Sequence, residues 1–115
     1  VGTDTAERVD YPIFGRDAAE KVAAGSCDLG ILCCGSGVGM SMVANKVRGV
    51  RAVVCTEPLS AKMSRLHNNS NVLCLGERIV GTAMAWEIVT TWLETGFEGG
   101  RHEKRVEMIE PAIEL

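Results

Sequence analysis

Aromatic residues are scarce in this chain of 115 residues: two Trp, two Phe and one Tyr make up 4% of it. Any core it builds is therefore aliphatic. Charge is also modest, with a net value of −3, which argues against a nucleic-acid-binding surface. No apolar run reaches the roughly 18 residues of a membrane helix. Histidine occurs only at His67 and His102, far apart in sequence, and no CxxC pair is present. No metal site is therefore expected. The five cysteines, Cys27, Cys33, Cys34, Cys55 and Cys74, are odd in number and mostly lie inside apolar runs. That argues against a disulfide framework and for reduced thiols in a cytoplasmic protein. The chain opens on Val1-Gly2 without a methionine, so the missing targeting signal carries little weight. What is present is a hydrophobic content of 46%, enough for one folded domain over residues 1–115.

Local patterns predict alternating helices and strands. Asp10 reads as a helix cap with Pro12 in the first turn, where its missing N–H costs little. Phe14, Ala18 and Val22 form that helix's apolar face, and Gly25 ends it. The continuous apolar run Leu29–Cys34 reads as a buried parallel strand. A helix over Met40–Lys46, a strand over Arg51–Cys55, a helix over Ser60–His67 and a strand over Asn71–Leu75 follow. Residues 82–95 give the clearest helix, with Met84, Ala85, Ile88, Val89, Trp92 and Leu93 on one face. After Gly99-Gly100 a charged helix is expected from about His102 to Ile109. Such alternation implies an α/β fold with a parallel sheet.

Chemistry concentrates in Cys34-Gly35-Ser36-Gly37-Val38-Gly39, where the first strand breaks into alternating glycines and then into helix. Glycines admit close approach of a ligand, and amides at a helix start favour negative charge. One reading is a dinucleotide turn, with Glu57 about 20 residues on as the ribose-binding acid. Against it, the spacing is GxGxG, and Met40 stands where the third glycine of GxGxxG would pack. The other reading is an anion-binding turn serving chemistry on a small substrate. Adjacent strand residues face opposite sides, so of Cys33 and Cys34 one can be core while the other faces the site. Cys34, which touches the glycines, is the candidate base or nucleophile.

These segments, with Asp10-Tyr11-Pro12, Ala44-Asn45-Lys46, Arg51-Ala52-Val53, His67-Asn68-Asn69-Ser70-Asn71-Val72-Leu73 and Glu98-Gly99-Gly100-Arg101-His102 with Arg105, resemble the type B ribose-5-phosphate isomerases. The match runs nearly end to end and in order, and galactose-6-phosphate isomerase subunits share the scaffold. The resemblance implies a three-layer α/β/α sandwich with a Rossmann-like parallel sheet. It also implies aldose–ketose isomerisation of a phosphorylated sugar, ribose 5-phosphate to ribulose 5-phosphate, without metal or cofactor.

Residue by residue, the resemblance makes Cys34 the base that moves a proton between C1 and C2. Ser36 becomes a hydroxyl for proton traffic, and the amides of Gly35, Gly37, Val38 and Gly39 become an enediolate cradle. His67 matches a ring-opening residue and Asn68 its polar neighbour. Arg101, Arg105 and Arg78 match phosphate ligands, and Tyr11 lines the site. From the residues alone, His67 and Asn68 also fit a helix C-terminus, Tyr11 fits packing beside Pro12, and Arg101/Arg105 fit a solvated helix face.

The family forms homodimers or dimers of dimers with shared sites, so some of these residues are expected to serve a neighbouring subunit. Nucleic acid and membrane are not expected partners. The family's opening strand, which carries an Asp-His pair, and the helix after it have no counterpart here. The domain is therefore expected to be N-terminally incomplete, with a strand edge left exposed. The functional alternatives are isomerisation of another aldose phosphate, allose or galactose 6-phosphate, and phosphosugar binding without catalysis.

Overall fold

A computed structural model describes residues 1–110. Three parallel strands, β1 (Gly30–Cys34), β2 (Ala52–Val54) and β3 (Val72–Gly76), form one sheet in the order β1-β3-β2. β3 is central and buried along its whole length, which is why it reads as continuous apolar sequence. Its residues alternate between two cores. Val72 and Cys74 join Leu32, Met40, Ala44 and Val50 on one face, and Leu73 and Leu75 join Cys55, Ala61, Ile88 and Trp92 on the other. Helices α1 (Tyr11–Ala23) and α2 (Val38–Ala44) cover the first face, and α3 (Pro58–Asn68) and α4 (Thr82–Glu94) the second. Helix α5 (Arg101–Ile109) packs on α3. The three-layer α/β/α sandwich is the expected one.

The elements sit within two residues of their expected bounds, and the differences have physical causes. α2 starts at Val38 rather than Met40, because Gly37 at φ +81° turns the chain directly into the helix and its carbonyl accepts from Ser41 N–H at 3.1 Å. α2 ends at Ala44 because the Asn45 side chain leaves it to pair with Ala52. It donates to the Ala52 carbonyl at 3.0 Å and accepts from the Ala52 N–H at 2.7 Å. The buried stripe of α1 is Gly15, Ala19 and Val22, one position round from the expected face. A Cβ on Gly15 would meet Met40 Sδ at 2.7 Å, so the glycine lets α1 and α2 pack closely. In α4, Ile88 and Trp92 are fully buried while Met84 and Leu93 are exposed. The buried face of α4 is thus two positions narrower than its apolar pattern.

β1 lies at one edge of the sheet, with Ile31 and Cys33 exposed on it. Among the described residues no helix is long and apolar enough to cross a membrane.

Candidate active site

The C-terminal ends of β1 and β3 are level, Cys34 being the register partner of Gly76. Past them, backbone is laid on backbone. Glu77 N–H donates to the Cys34 carbonyl at 2.9 Å and Arg78 N–H to the Gly35 carbonyl at 3.0 Å. A Cβ on Gly37 would lie 2.9 Å from the Leu75 carbonyl carbon and from Val54 Cγ2, and one on Gly76 would lie 2.5 Å from the Ser36 carbonyl. Only glycine fits at either position. The turn is thereby held rigidly against the sheet, and rigidity is what fixed dipoles need in order to act on charge.

Cys34 stands at the lip of this turn. Its side chain packs on the α1/α2 side, opposite to that of Cys33, as strand alternation requires. The Gly37 N–H donates to Cys34 Sγ at 3.1 Å, a contact that strengthens when the sulfur carries negative charge. The thiols of Cys33, Cys55 and Cys74 are all pushed above the ordinary range. Burial pushes Cys55 up to about 11 and Cys74 up to about 12. Cys33 is raised by burial and then by the neighbouring Cys34 and Glu77.

A cleft of about 330 Å³ opens over Cys34, lined by Tyr11, Gly35, Ser36, Gly39, Arg78 and Ile79. Tyr11 lies so close to Gly39 that a Cβ there would collide with its ring. The Arg78 side chain passes 3.7 Å from the Cβ position of Gly35. Ser36 Oγ accepts from Val38 N–H at 3.2 Å, so the hydroxyl proton points elsewhere and can be donated. The expected residues Tyr11, Cys34, Gly35, Ser36, Gly39 and Arg78 thus share one cleft. Gly37 is buried behind the turn, and Val38 is exposed beside it.

Glu57 does not stand as a ribose ligand. Its carboxylate caps α3, accepting from Ser60 N–H at 3.0–3.1 Å and from the Ser60 hydroxyl. The Ser60 hydroxyl and then its amide hold the carboxyl below the usual range.

The remaining expected residues lie elsewhere. α3 ends at Asn68, Asn69 caps it at φ +47°, and β3 starts only at Val72. His67 and Asn68 are therefore at the N-terminal end of the sheet. Cys34 is at the other end, four residue steps along the strands, or about 13 Å. The two ends do not meet within one chain.

At the His67 end, Gly99 and Gly100 both take positive φ, +72° and +57°. That sharp turn feeds α5 back onto α3, where Glu98 N–H donates to the Leu66 carbonyl at 3.1 Å. The turn corrects the expectation that the two histidines stay apart: the His67 and His102 rings stack with centroids 4.2 Å apart and 19° between planes. His102 is buried, and its imidazole is held below the usual histidine range by desolvation, then by His67 and Arg101. Arg101 and Arg105 are exposed one helical turn apart on α5, a spacing suited to a phosphate dianion. Only the tertiary turn at Gly99-Gly100 brings His102 and Glu98 to His67, and no local sequence pattern marks that meeting.

Comparison with known proteins agrees along nearly the whole chain. The model of a family described as Ribose/Galactose Isomerase matches residues 1–109. Ribose-5-phosphate isomerase B of Escherichia coli K12 is 55% identical over 108 residues, which are 94% of this chain and 72% of that protein. A D-erythrulose-4-phosphate isomerase of Pectobacterium atrosepticum is 43% identical over 105 residues, 91% of this chain and 69% of that protein. Among solved structures, the ribose-5-phosphate isomerase B of Clostridium thermocellum superposes with a TM-score of 0.92 at 56% identity, covering 94% of this chain and 73% of that one.

Proposed function

This chain belongs to the ribose/galactose isomerase family, and from that membership we propose that it interconverts ribose 5-phosphate and ribulose 5-phosphate with Cys34 as the base. As a member of the family it is a sugar-phosphate isomerase. The five-carbon substrate and the cysteine mechanism are our reading.

In the open-chain aldose, the Cys34 thiolate takes the proton from C2 and becomes a thiol. The C2–H electron pair forms the C1=C2 bond, and the carbonyl π pair moves onto O1. The resulting cis-enediolate has its charge beside the Gly35–Gly39 turn, two of whose amides, those of Gly37 and Val38, also hold Cys34 Sγ and Ser36 Oγ in place, and fixed dipoles of this kind stabilise charge that appears only in mid-reaction. The Ser36 hydroxyl and Arg78 attend the substrate oxygens, and a proton passes from O2 to O1. Cys34 then returns its proton to C1 as C2=O forms, so the exchange is redox-neutral overall. His67 assists the earlier opening of the sugar ring, with Asn68 beside it, and Arg101 and Arg105 hold the phosphate.

The observation that carries this reading is the Gly37 N–H contact to Cys34 Sγ inside a cleft that also holds Tyr11, Ser36 and Arg78. Because His67, Arg101 and Arg105 belong to the opposite end of the sheet, the working site is composite. The Cys34 cleft of one copy is completed by the His67 end of a second, in a homodimer or an assembly of such dimers. Exposed apolar residues beside the cleft support this. Val38 and Met42, one helical turn apart on α2, and Ile79, which lines the cleft, are 43%, 63% and 57% exposed. A lone monomer would leave that surface wet.

A coupled assay across pentose and hexose phosphates tests the reading. Ribose 5-phosphate is expected to be the preferred aldose, and turnover is expected to be lost in Cys34→Ala. Preference for a hexose 6-phosphate would move the assignment to that substrate. Binding without exchange of the C2 proton with solvent would make the chain a phosphosugar-binding module.

A further inference from the structure

At the turn into α5, one ligand atom from each of His67, Glu98 and His102 lies within 4.8 Å of the others. His102 is 6% exposed, and its Nε2 is buried without a hydrogen-bond partner among the described residues. A buried ring nitrogen left unpaired is costly, and a metal ion satisfies its lone pair as a donor would. Nothing in sugar isomerisation accounts for this third group beside His67.

We propose that His67, Glu98 and His102 form a binding site for a borderline divalent transition metal of the Zn2+ class, and that its occupation withdraws the His67 imidazole from the sugar. The first half stands on the geometry; the second rests on the reading of His67 given above.

Two ligands at about 2.1 Å from a tetrahedral ion are about 3.4 Å apart, so the three ligand atoms, now within 4.8 Å of one another, must draw together. Two stacked, nearly parallel rings cannot both aim an in-plane lone pair at one ion. Binding must therefore tilt the rings and break the stack. Two imidazoles and one carboxylate select a borderline ion over Mg2+ or Ca2+, which prefer all-oxygen sites. Three protein ligands leave a position for water. Arg101 and Arg105 repel a cation here, which makes the Glu98 carboxylate indispensable.

Co2+ is the probe, titrated into chelator-treated full chain. Visible d–d bands are expected to saturate at one ion per chain, without the near-ultraviolet thiolate charge transfer that exposed Cys27 or Cys33 would produce. Glu98→Gln and His102→Gln are each expected to weaken binding by at least about 10-fold, the low end for disturbing a ligand set. Glu98 is exposed, so its variant folds even where the buried His102 variant does not. Absence of the bands, or bands with thiolate character that persist in Glu98→Gln, overturns the site. In a second arm, saturating Co2+ is expected to depress ribose 5-phosphate turnover at least 10-fold, with recovery on adding chelator, and Glu98→Gln is expected to resist the metal; equal inhibition of Glu98→Gln would put the ion on Cys34 and overturn the inhibitory half. Full turnover of the metal-loaded protein overturns the inhibitory half. No turnover before metal is added counts against the isomerase reading alone, and the spectra still decide the site.

Discussion

The two ends of the sheet are built from different materials. At the Cys34 end the candidate groups are mostly main chain: a glycine turn wedged against Gly76, with one thiol at its lip. At the His67 end they are side chains, two stacked imidazoles with Arg101 and Arg105 on the adjoining helix. Fixed dipoles suit a charge that appears only in mid-reaction. Long cationic side chains suit a phosphate that is charged throughout. In the proposed mechanism each end supplies what the other lacks.

That contrast can be broken at its strongest point first. Cys34→Ala is expected to lower kcat by about 10²- to 10⁴-fold, the usual weight of a general base, with KM little changed. Equal losses in kcat and in substrate affinity would show that the thiol binds rather than reacts. Next, Arg105→Ala is expected to cost about 10- to 100-fold in kcat/KM, from loss of a charge-assisted contact. The loss should fall mainly on KM and spare phosphate-free sugars.

The third test exchanges chemistry for rigidity. Gly37→Ala forces a side chain into φ +81°, against Leu75 and Val54, at a cost of at least about 1–2 kcal/mol. A Tm lower by several degrees is expected, with a further fall in kcat. An unchanged Tm would mean that the turn yields easily. The smallest effect is expected at Glu57. Its folded-state carboxyl is held below the ordinary range, so its contribution is full above about pH 4.3 and fades as pH falls through the folded value. Thermal melts should show a small deficit for Glu57→Gln at neutral pH that vanishes in acid. A deficit independent of pH would remove the charge from the explanation.

The Cys34 end was legible in the sequence because it is local. An apolar run, alternating glycines and a cysteine are contiguous, and strand alternation alone assigns Cys33 and Cys34 to opposite faces. The sandwich was legible for the same reason, each strand and helix carrying its own period. The His67 end was legible only in part. His67 and Arg101 matched family segments, yet the stacking of His67 on His102 depends on two glycines at positive φ folding α5 back. No periodicity records that event. The exposure of Met84 and Leu93 was likewise hidden, because how much of a helix is buried depends on its neighbours rather than on its own pattern.

Complementation between two inactive variants tests the composite site most directly. Cys34→Ala and His67→Gln are each purified, mixed, unfolded together and refolded, and ribose 5-phosphate turnover is measured. If each site takes Cys34 from one copy and His67 from another, half the dimers are mixed and each has one intact site. Activity should then return to about a quarter of the wild-type value. If the mixture stays as inactive as its components while the mixed dimers are shown to form, both residues serve one chain, and the separation of the two ends is not how the enzyme works.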